Sequence, residues 1–200
     1  DKEFCGMLVL DPHDEYYGRT ELGLKDHPNK DKVIYYSVNP PPGGSSLKIN
    51  LRLMKPEHFE GAVYFSDPQR QALFAYYKKF KENWISMVLK EVKIGGVSFH
   101  EDTIAVVKRR LIGLLGLEFS NGEIYCEGIF DDIAGENTIV DICQNLEQGK
   151  IVVIDTSLFS GAIEILVGSL ISNEIFDKYK YYKTKGLLDE KPVVSIVLEE

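Results

Sequence analysis

The sequence predicts an α/β protein built on a parallel sheet, and three short apolar runs are the main evidence. Each run is followed by an acidic residue: residues 6–10 by Asp11, residues 151–154 by Asp155, and residues 193–198 by Glu199. Such an uninterrupted run is typical of a strand with both faces covered in a parallel sheet. A helical pattern separates the second run from the third, which is α/β alternation. The carboxyl ends of these strands are therefore expected to share one edge of the sheet.

Composition narrows the class of protein further. The 200 residues suit one domain, or one domain with an insertion. The net charge of −8 means that any binding of nucleic acid would need a local positive patch. Because no apolar stretch approaches the roughly 18 residues of a membrane helix and no signal peptide opens the chain, we expect a cytoplasmic protein without a membrane partner. Cys5, Cys126 and Cys143 are widely spaced, which predicts neither a disulfide framework nor a cysteine zinc site.

Residues 1–55 are predicted to be the first part of the sheet. The run at residues 6–10 ends at Asp11-Pro12, because proline has no N–H to donate to a ladder. Residues 32–38 form a second strand candidate, followed by the loop sequence NPPPGGSS. From Leu47 to Leu53 apolar and polar residues alternate, which predicts a strand with one solvated face.

Residues 56–148 are predicted to be a mainly helical insertion. Asp67-Pro68 begins one helix that extends to about Lys90, and a second helix spans about residues 101–117. The sequence SNGE at residues 120–123 predicts a tight turn, and a short helix follows at about residues 138–148. Residues 149–200 then return to α/β alternation: a strand, a long helix after Ser160 to about Tyr182, and a last strand.

The final eight residues, VVSIVLEE, have the form of a Walker B strand. In such a strand the first acid, here Glu199, holds Mg²⁺, and the second, Glu200, orients the attacking water. Any central strand can end in acids, so this pattern is also compatible with a purely structural role. The sequence contains no G-x-x-x-x-G-K-[ST] phosphate loop, because Gly149-Lys150 lacks the upstream glycine and the following hydroxyl.

A second cluster of chemically capable residues occurs near the start, in MLVLDPHDEYYG. His13, Asp14 and Glu15 could form a metal site, an acid/base centre, or only the turn that ends a buried strand. Consecutive side chains at the end of a strand diverge and seldom converge on one ion, so a dedicated metal site is the less favoured interpretation.

These motifs resemble those of the HerA-type ATPases of the HerA/FtsK superfamily. LVLDPHDEY is similar to the family's strand after the Walker A helix, where the pattern is D-x-H-G-E-Y. GKIVVIDTS, the helix containing EILVGSLISNEIFDKY, and KPVVSIVLEE resemble the next strand, helix and Walker B strand in the same order. The departure is Asp14, which stands where the family has glycine and so raises a question about the backbone there.

The resemblance implies a partial RecA-like P-loop ATPase core with a mostly helical insertion. It places the family's Walker A loop before Asp1 and its sensor strand and arginine finger after Glu200, so the segment alone is expected to be inactive. ATP and Mg²⁺ would then be cofactors of the complete parent protein. Carried over by residue, Glu199 is the metal-side acid and Glu200 the water-positioning base, and the residues expected beside the nucleotide are Asp11, His13 and Glu15.

The same resemblance implies partners as well. Archaeal proteins of this type are hexameric, ATP-driven DNA translocases or helicases that act with the NurA nuclease in DNA end processing and repair. The expected partners are therefore DNA, a NurA-type nuclease and further copies in a homo-hexamer. Two basic clusters could contact DNA, although solvated surface is favoured for both: residues 178–185, where lysines alternate with tyrosines, and Lys108-Arg109-Arg110.

Two interpretations from other classes remain open from the sequence. The chain could be a non-catalytic binding or assembly module with an α/β core, in which the acids only end strands. A nucleotide-binding domain of the flavodoxin or methyltransferase kind is a weaker alternative, because no glycine-rich loop follows Leu10.

Overall fold

The computed structural model describes residues 5–198, which divide into two compact units. The first unit contains the chain up to Leu47, Asn137–Ser160 and the chain from Val167; the second contains Lys48–Glu136 and Gly161–Leu166. The strands and helices, in chain order, are β1 (Cys5–Asp11), β2 (Val33–Ser37), β3 (Ser45–Ser46), β4 (Ile49–Asn50), α1 (Asp67–Phe80), α2 (Trp84–Leu89), α3 (Glu101–Leu115), β5 (Leu117–Ser120), β6 (Glu123–Cys126), β7 (Phe130–Asp131), α4 (Thr138–Glu147), β8 (Ile151–Asp155), α5 (Gly161–Lys185) and β9 (Val193–Leu198).

The first unit is organised around a parallel sheet. Among the described residues this sheet has five strands in the order β3-β2-β8-β1-β9, and each neighbouring pair is parallel. The register pairs Asp11 with Asp155 and Leu10 with Leu198. The predicted α/β fold with a parallel sheet is therefore confirmed, and β1, β8 and β9 end at the same edge.

One face of the sheet is covered by α4 and α5. Glycine allows the close approach at two points: a Cβ on Gly6 would lie 2.2 Å from the carbonyl oxygen of Leu146, and a Cβ on Gly168 would lie 2.9 Å from Leu10. Leu8 and Leu10, which point to this face, are at most 2% exposed. Replacing Gly6 would push α4 away from β1, because the new Cβ would meet the backbone of Leu146, whereas replacing Gly168 would displace the buried Leu10 side chain.

The opposite face is covered by the loop between β1 and β2. Val9, Tyr35 and Val153 project from three neighbouring strands and pack against Tyr17 of that loop, with Leu24 at the margin. The rings of Tyr17 and Tyr35 stack with centroids 4.1 Å apart and planes 16° apart. Both faces of β1 are thus buried, which explains its uninterrupted apolar run.

The second unit is mainly helical, with α1, α2 and α3 packed together. Trp84 is fully buried at the start of α2, where its indole Nε1 donates to the carbonyl oxygen of Met54 at 2.8 Å and its ring meets Phe59 edge-on at 5.9 Å. Strands β5 and β6 form a hairpin whose turn residues Asn121 and Gly122 both have positive φ, as a tight two-residue turn requires.

Two local predictions differ from the structure. The strand predicted from Leu47 to Leu53 stops at Asn50, because the Asn50 side chain accepts a hydrogen bond from the N–H of Arg52 and starts a 3₁₀ turn. The single helix predicted from Asp67 to Lys90 is interrupted at Lys81, whose φ of 50° lies in the left-handed region. Of the helices in residues 5–198, none combines the length and apolar character needed to cross a membrane.

Candidate functional site

The turn after β1 is organised by Asp11. This residue is 0% exposed, and its carboxylate accepts hydrogen bonds from the backbone N–H groups of His13 (3.3 Å), Glu15 (3.2 Å) and Tyr16 (3.0 Å). A buried carboxylate is stable only with such donors, and here the donors come from the turn that follows. Asp11 therefore shapes the turn with both of its oxygens.

Asp14 occupies the position where the resembling family has glycine, and its φ is 54°. This left-handed conformation is easy for glycine and is tolerated by aspartate better than by most residues. Its carboxylate accepts a hydrogen bond from the Tyr35 hydroxyl at 2.5 Å and pairs with Arg19 Nε at 2.6 Å. The backbone thus keeps a glycine-like shape, and the added charge is paired.

Asp155, at the end of β8, is bound by side chains from several segments. Its carboxylate accepts from the Ser157 hydroxyl at 2.5 Å, the Ser37 hydroxyl at 2.7 Å and the Ser157 N–H at 3.0 Å. Burial favours the neutral acid, but the hydrogen bonds from Ser157 and Ser37 outweigh it and lower the pKa of Asp155. The residue is therefore ionised at neutral pH.

Arg19 connects these groups. One guanidinium nitrogen of Arg19 lies 3.1 Å from Asp155, 3.0 Å from the Tyr35 hydroxyl and 3.2 Å from the Ser37 hydroxyl, and another donates to the carbonyl oxygen of Asn39 at 2.9 Å. The hydrogen bond to Asp14 raises the pKa of Arg19 above its ordinary value, so the guanidinium stays charged.

The Tyr35 phenol lies between the two carboxylates of this network. Burial and then the hydrogen bond to Asp14 raise the pKa of Tyr35, which keeps the phenol protonated. The donors at this edge of the sheet therefore surround two carboxylates, Asp14 and Asp155, which both contact the Arg19 guanidinium. Arg19, Tyr35, Ser37 and Ser157 were not predicted from the sequence, because no local spacing marks them.

The other residues predicted beside a nucleotide lie outside this network. His13 and Glu15 are exposed on the turn after β1. Among the described residues, no group of three or more His, Cys, Asp or Glu side chains is arranged to hold a metal ion. Glu199 and Glu200 lie outside the described residues; they follow Leu198, which pairs with Leu10 at the same edge.

The fit of this edge to ATP and Mg²⁺ can be judged from its donors and acceptors. Asp11 and Asp155 are at most 3% exposed and accept hydrogen bonds at both oxygens, so a metal ion could reach either carboxylate only if those donors moved. His13 and Glu15 are exposed and chemically suited to contact a phosphate-bound water or ion. The described residues therefore fit the flank of a nucleotide site and do not supply its phosphate cradle.

Residues of the two basic clusters make ion pairs and hydrogen bonds with other residues of their own unit. At the end of α5, Lys178 pairs with Glu147 at 3.0 Å, and the Tyr179 hydroxyl donates to the carbonyl oxygen of Pro192 at 2.6 Å. In the second unit, Lys108 pairs with Glu91 at 2.7 Å, and Arg110 contacts the carbonyl oxygen of Tyr64. These contacts support the structural interpretation of both clusters.

Comparison with known proteins identifies the family. Residues 2–175 match the family described as "Helicase HerA, central domain", a span that includes β1, β2 and β8 and ends before β9. None of the curated proteins matches the chain. The match covers well over half of the 200 residues and agrees with the motif resemblance at both β1 and β8. The chain therefore belongs to the HerA central-domain family, within the HerA/FtsK superfamily of ATPases.

Proposed function

We propose that this chain is the central part of an ATP-driven DNA translocase of HerA type. The observation that carries the proposal is the common edge of β1, β8 and β9 in a chain of this family. Asp11 pairs with Asp155 and Leu10 with Leu198, so three acid-ended runs lead to one edge. Ligands of open α/β sheets bind at the carboxyl ends of the strands.

Each acid has its own role in this proposal. Glu199 would hold Mg²⁺, which neutralises charge that develops on the phosphate, and Glu200 orients the attacking water. His13 and Glu15 face the nucleotide from the turn after β1. Asp11 holds that turn in shape through its backbone hydrogen bonds.

The phosphate loop comes from another segment in this proposal. Residues 1–200 contain no G-x-x-x-x-G-K-[ST] sequence, so they lack the backbone N–H groups that cradle the β-phosphate. The chain alone therefore does not hydrolyse ATP. Activity requires a protein that combines this chain with a phosphate loop.

The proposal includes a wider role, which membership of the family supports. The complete protein acts as a homo-hexamer on DNA in the cytoplasm, in end processing and repair, with a NurA-type nuclease as partner. Because the net charge is −8, DNA has to bind where positively charged side chains are clustered, for example in a central channel of the assembly. DNA binding then weakens steeply as salt is added.

The test is the variant Glu200→Gln in the protein that combines this chain with a phosphate loop. Glutamine keeps the size of the side chain and loses the negative charge, so we expect DNA-stimulated ATP turnover to fall at least about 100-fold. ATP binding, measured by fluorescence of a labelled nucleotide, should change less than about 3-fold because the phosphate loop is intact. Glu190→Gln is the matched control, since Glu190 is exposed and lies before β9.

Two results would contradict the proposal. Unchanged turnover in Glu200→Gln would remove the role given to that residue. Absence of both ATP binding and turnover in the complete wild-type protein would favour the non-catalytic binding or assembly module instead.

A further inference from the structure

We infer that Arg19 is a positioning residue: with Asp14, it fixes the exposed turn bearing His13 and Glu15 against β2 and β8. This inference rests on the proposed function, because the turn matters for turnover only if it faces a nucleotide. It concerns residues to which the family pattern gives no role, since Asp14 replaces the pattern's glycine.

The turn has two separate sets of restraints. Asp11 sets its internal shape through the backbone N–H groups of His13, Glu15 and Tyr16. Those bonds lie within one short segment and do not link the turn to the neighbouring strands. Asp14 adds a polar link to the packing of Tyr17 on Tyr35, because its carboxylate contacts Tyr35 of β2 at 2.5 Å and Arg19 at 2.6 Å.

The guanidinium of Arg19 extends the link across the sheet edge. Its Nε pairs with Asp14, and one terminal nitrogen reaches Asp155 of β8 at 3.1 Å and Ser37 of β2 at 3.2 Å. A planar guanidinium can bond in these directions at once, whereas a lysine ammonium acts as a single point charge on a flexible stem. The arrangement therefore depends on arginine and on more than its positive charge.

The network needs Arg19 because the Tyr35 hydroxyl cannot donate to both carboxylates. The Tyr35 hydroxyl lies 2.5 Å from Asp14 and 3.2 Å from Asp155, but a phenol has one proton and can donate to one carboxylate. Asp155 keeps Ser37 and Ser157 as donors, so without Arg19 the two negative charges would lie on either side of the Tyr35 hydroxyl with no cation between them, and Asp14 would move away from Asp155. Because Asp14 is 16% exposed in its side chain, it can turn toward solvent and take the turn with it.

The first test measures the turn directly, without nucleotide. In Arg19→Lys we expect the Glu15 and Tyr16 amides to exchange with deuterium about 10-fold faster, because the turn opens locally more often. Amides of Leu8 and Leu10 in β1 should exchange as in the wild type, which separates local loosening from global destabilisation. Arg52→Lys is the matched control, because Arg52 is exposed and its ion pair with Glu136 is 3.6 Å long.

A second variant covers the case in which Arg19→Lys folds poorly. Asp14→Asn keeps the size of the side chain and the tolerance of positive φ, and it removes the charge that Arg19 pairs with. It should loosen the same two amides. Unchanged exchange of those amides in both variants would overturn the inference.

The third test measures turnover in the protein that combines this chain with a phosphate loop. Arg19→Lys should lower kcat about 10-fold and leave KM for ATP within about 2-fold, because misplacing a group near the reacting atoms costs rate more than binding. Loosened amides with unchanged kcat would reduce Arg19 to a structural role and overturn the inference. Absence of turnover in the wild type would instead contradict the proposed function, while the amide test would still decide whether Arg19 holds the turn.

Discussion

The ends of β1 and β8 carry the same sequence pattern and are stabilised in different ways. Asp11 and Asp155 are opposite each other in register, and both are at most 3% exposed. Asp11 accepts hydrogen bonds from backbone N–H groups of the residues that directly follow it. Asp155 accepts from Ser157 and from residues far away in sequence, namely Arg19 and Ser37, and the Tyr35 hydroxyl lies 3.2 Å from it.

This difference teaches that an acid at the end of a strand can have two distinct physical roles. A backbone N–H is always a donor, so both oxygens of Asp11 must act as acceptors. At Asp155 the hydroxyls of Ser37 and Ser157 can donate or accept, but the Ser157 N–H at one oxygen and Arg19 at the other can only donate. Both strand ends should therefore be sensitive to loss of charge, but at β1 the effect concerns the turn that follows, whereas at β8 it also reaches Arg19 and β2.

The largest expected effect is the loss of stability when either acid is replaced by its amide. Asp11→Asn places an NH₂ group against a backbone N–H and should lower the free energy of unfolding by about 2–3 kcal/mol. Asp155→Asn should cost about as much, because its NH₂ group must face either the Ser157 N–H or the Arg19 guanidinium, neither of which can accept. Urea unfolding followed by circular dichroism measures both losses. Asp11→Asn should also speed deuterium exchange of the Glu15 and Tyr16 amides more than Asp155→Asn does, because Asp11 accepts from them; equal exchange in the two variants would remove the distinction between the two strand ends.

The pH dependence of stability tests the ionised state of Asp155. Its pKa is lowered in the folded protein, since the hydrogen bonds outweigh burial, so the unfolded chain binds more protons in acid. The stabilisation is complete above the unfolded pKa of about 3.9 and is lost as pH falls through the folded pKa. The difference in free energy of unfolding between wild type and Asp155→Asn should therefore narrow from about pH 5 to pH 3.

The control for this pH series is Asp189→Asn, because Asp189 is exposed in the turn before β9. Its difference from the wild type gives the effect of removing one exposed carboxylate over the same range. A difference for Asp155→Asn that widens in acid would contradict the assigned direction of the pKa.

The smallest expected effect is the difference in stability between two glycine substitutions, Asp14→Gly and Asn121→Gly. Both residues have a φ of 54°, so glycine relieves similar backbone strain at each. Asn121→Gly should leave the free energy of unfolding within about 0.5 kcal/mol of the wild type. Asp14→Gly should be about 1 kcal/mol less stable than Asn121→Gly, because the contacts with Arg19 and Tyr35 are lost. Thermal unfolding measures the pair, and equal stability would show that the Asp14 contacts contribute little.

Sequence reasoning was most successful where a pattern has a local cause. The apolar runs predicted β1 and β8 because strands buried on both faces need apolar residues at consecutive positions. The run at residues 193–198 also forms a strand, β9, but it lies at one end of the strand order with Val193 72% and Leu198 67% exposed, so the expectation that both of its faces are covered was wrong. The break at Lys81 was missed because a single left-handed residue changes the path of the chain without changing the helical spacing around it. The predicted strand after Leu47 was wrong past Asn50 because one side-chain hydrogen bond outweighed the alternation.

The site was predicted only in outline. The sequence placed Asp11 and Asp155 at strand ends, and the register confirms that they lie opposite each other. Arg19 was missed because its partner Asp155 is 136 residues away, a distance over which no spacing rule operates. The roles predicted for Glu199 and Glu200 stay predictions, since both residues lie outside the described part of the chain.

The most direct test of the proposed function uses the exposed turn after β1. Glu15 and Glu21 both lie exposed between β1 and β2, and only Glu15 is on the turn that we place beside the nucleotide. In the protein that combines this chain with a phosphate loop, we expect Glu15→Gln to lower ATP turnover about 10-fold and Glu21→Gln to leave it within about 2-fold. Equal turnover in the two variants would contradict a nucleotide site at this edge of the sheet.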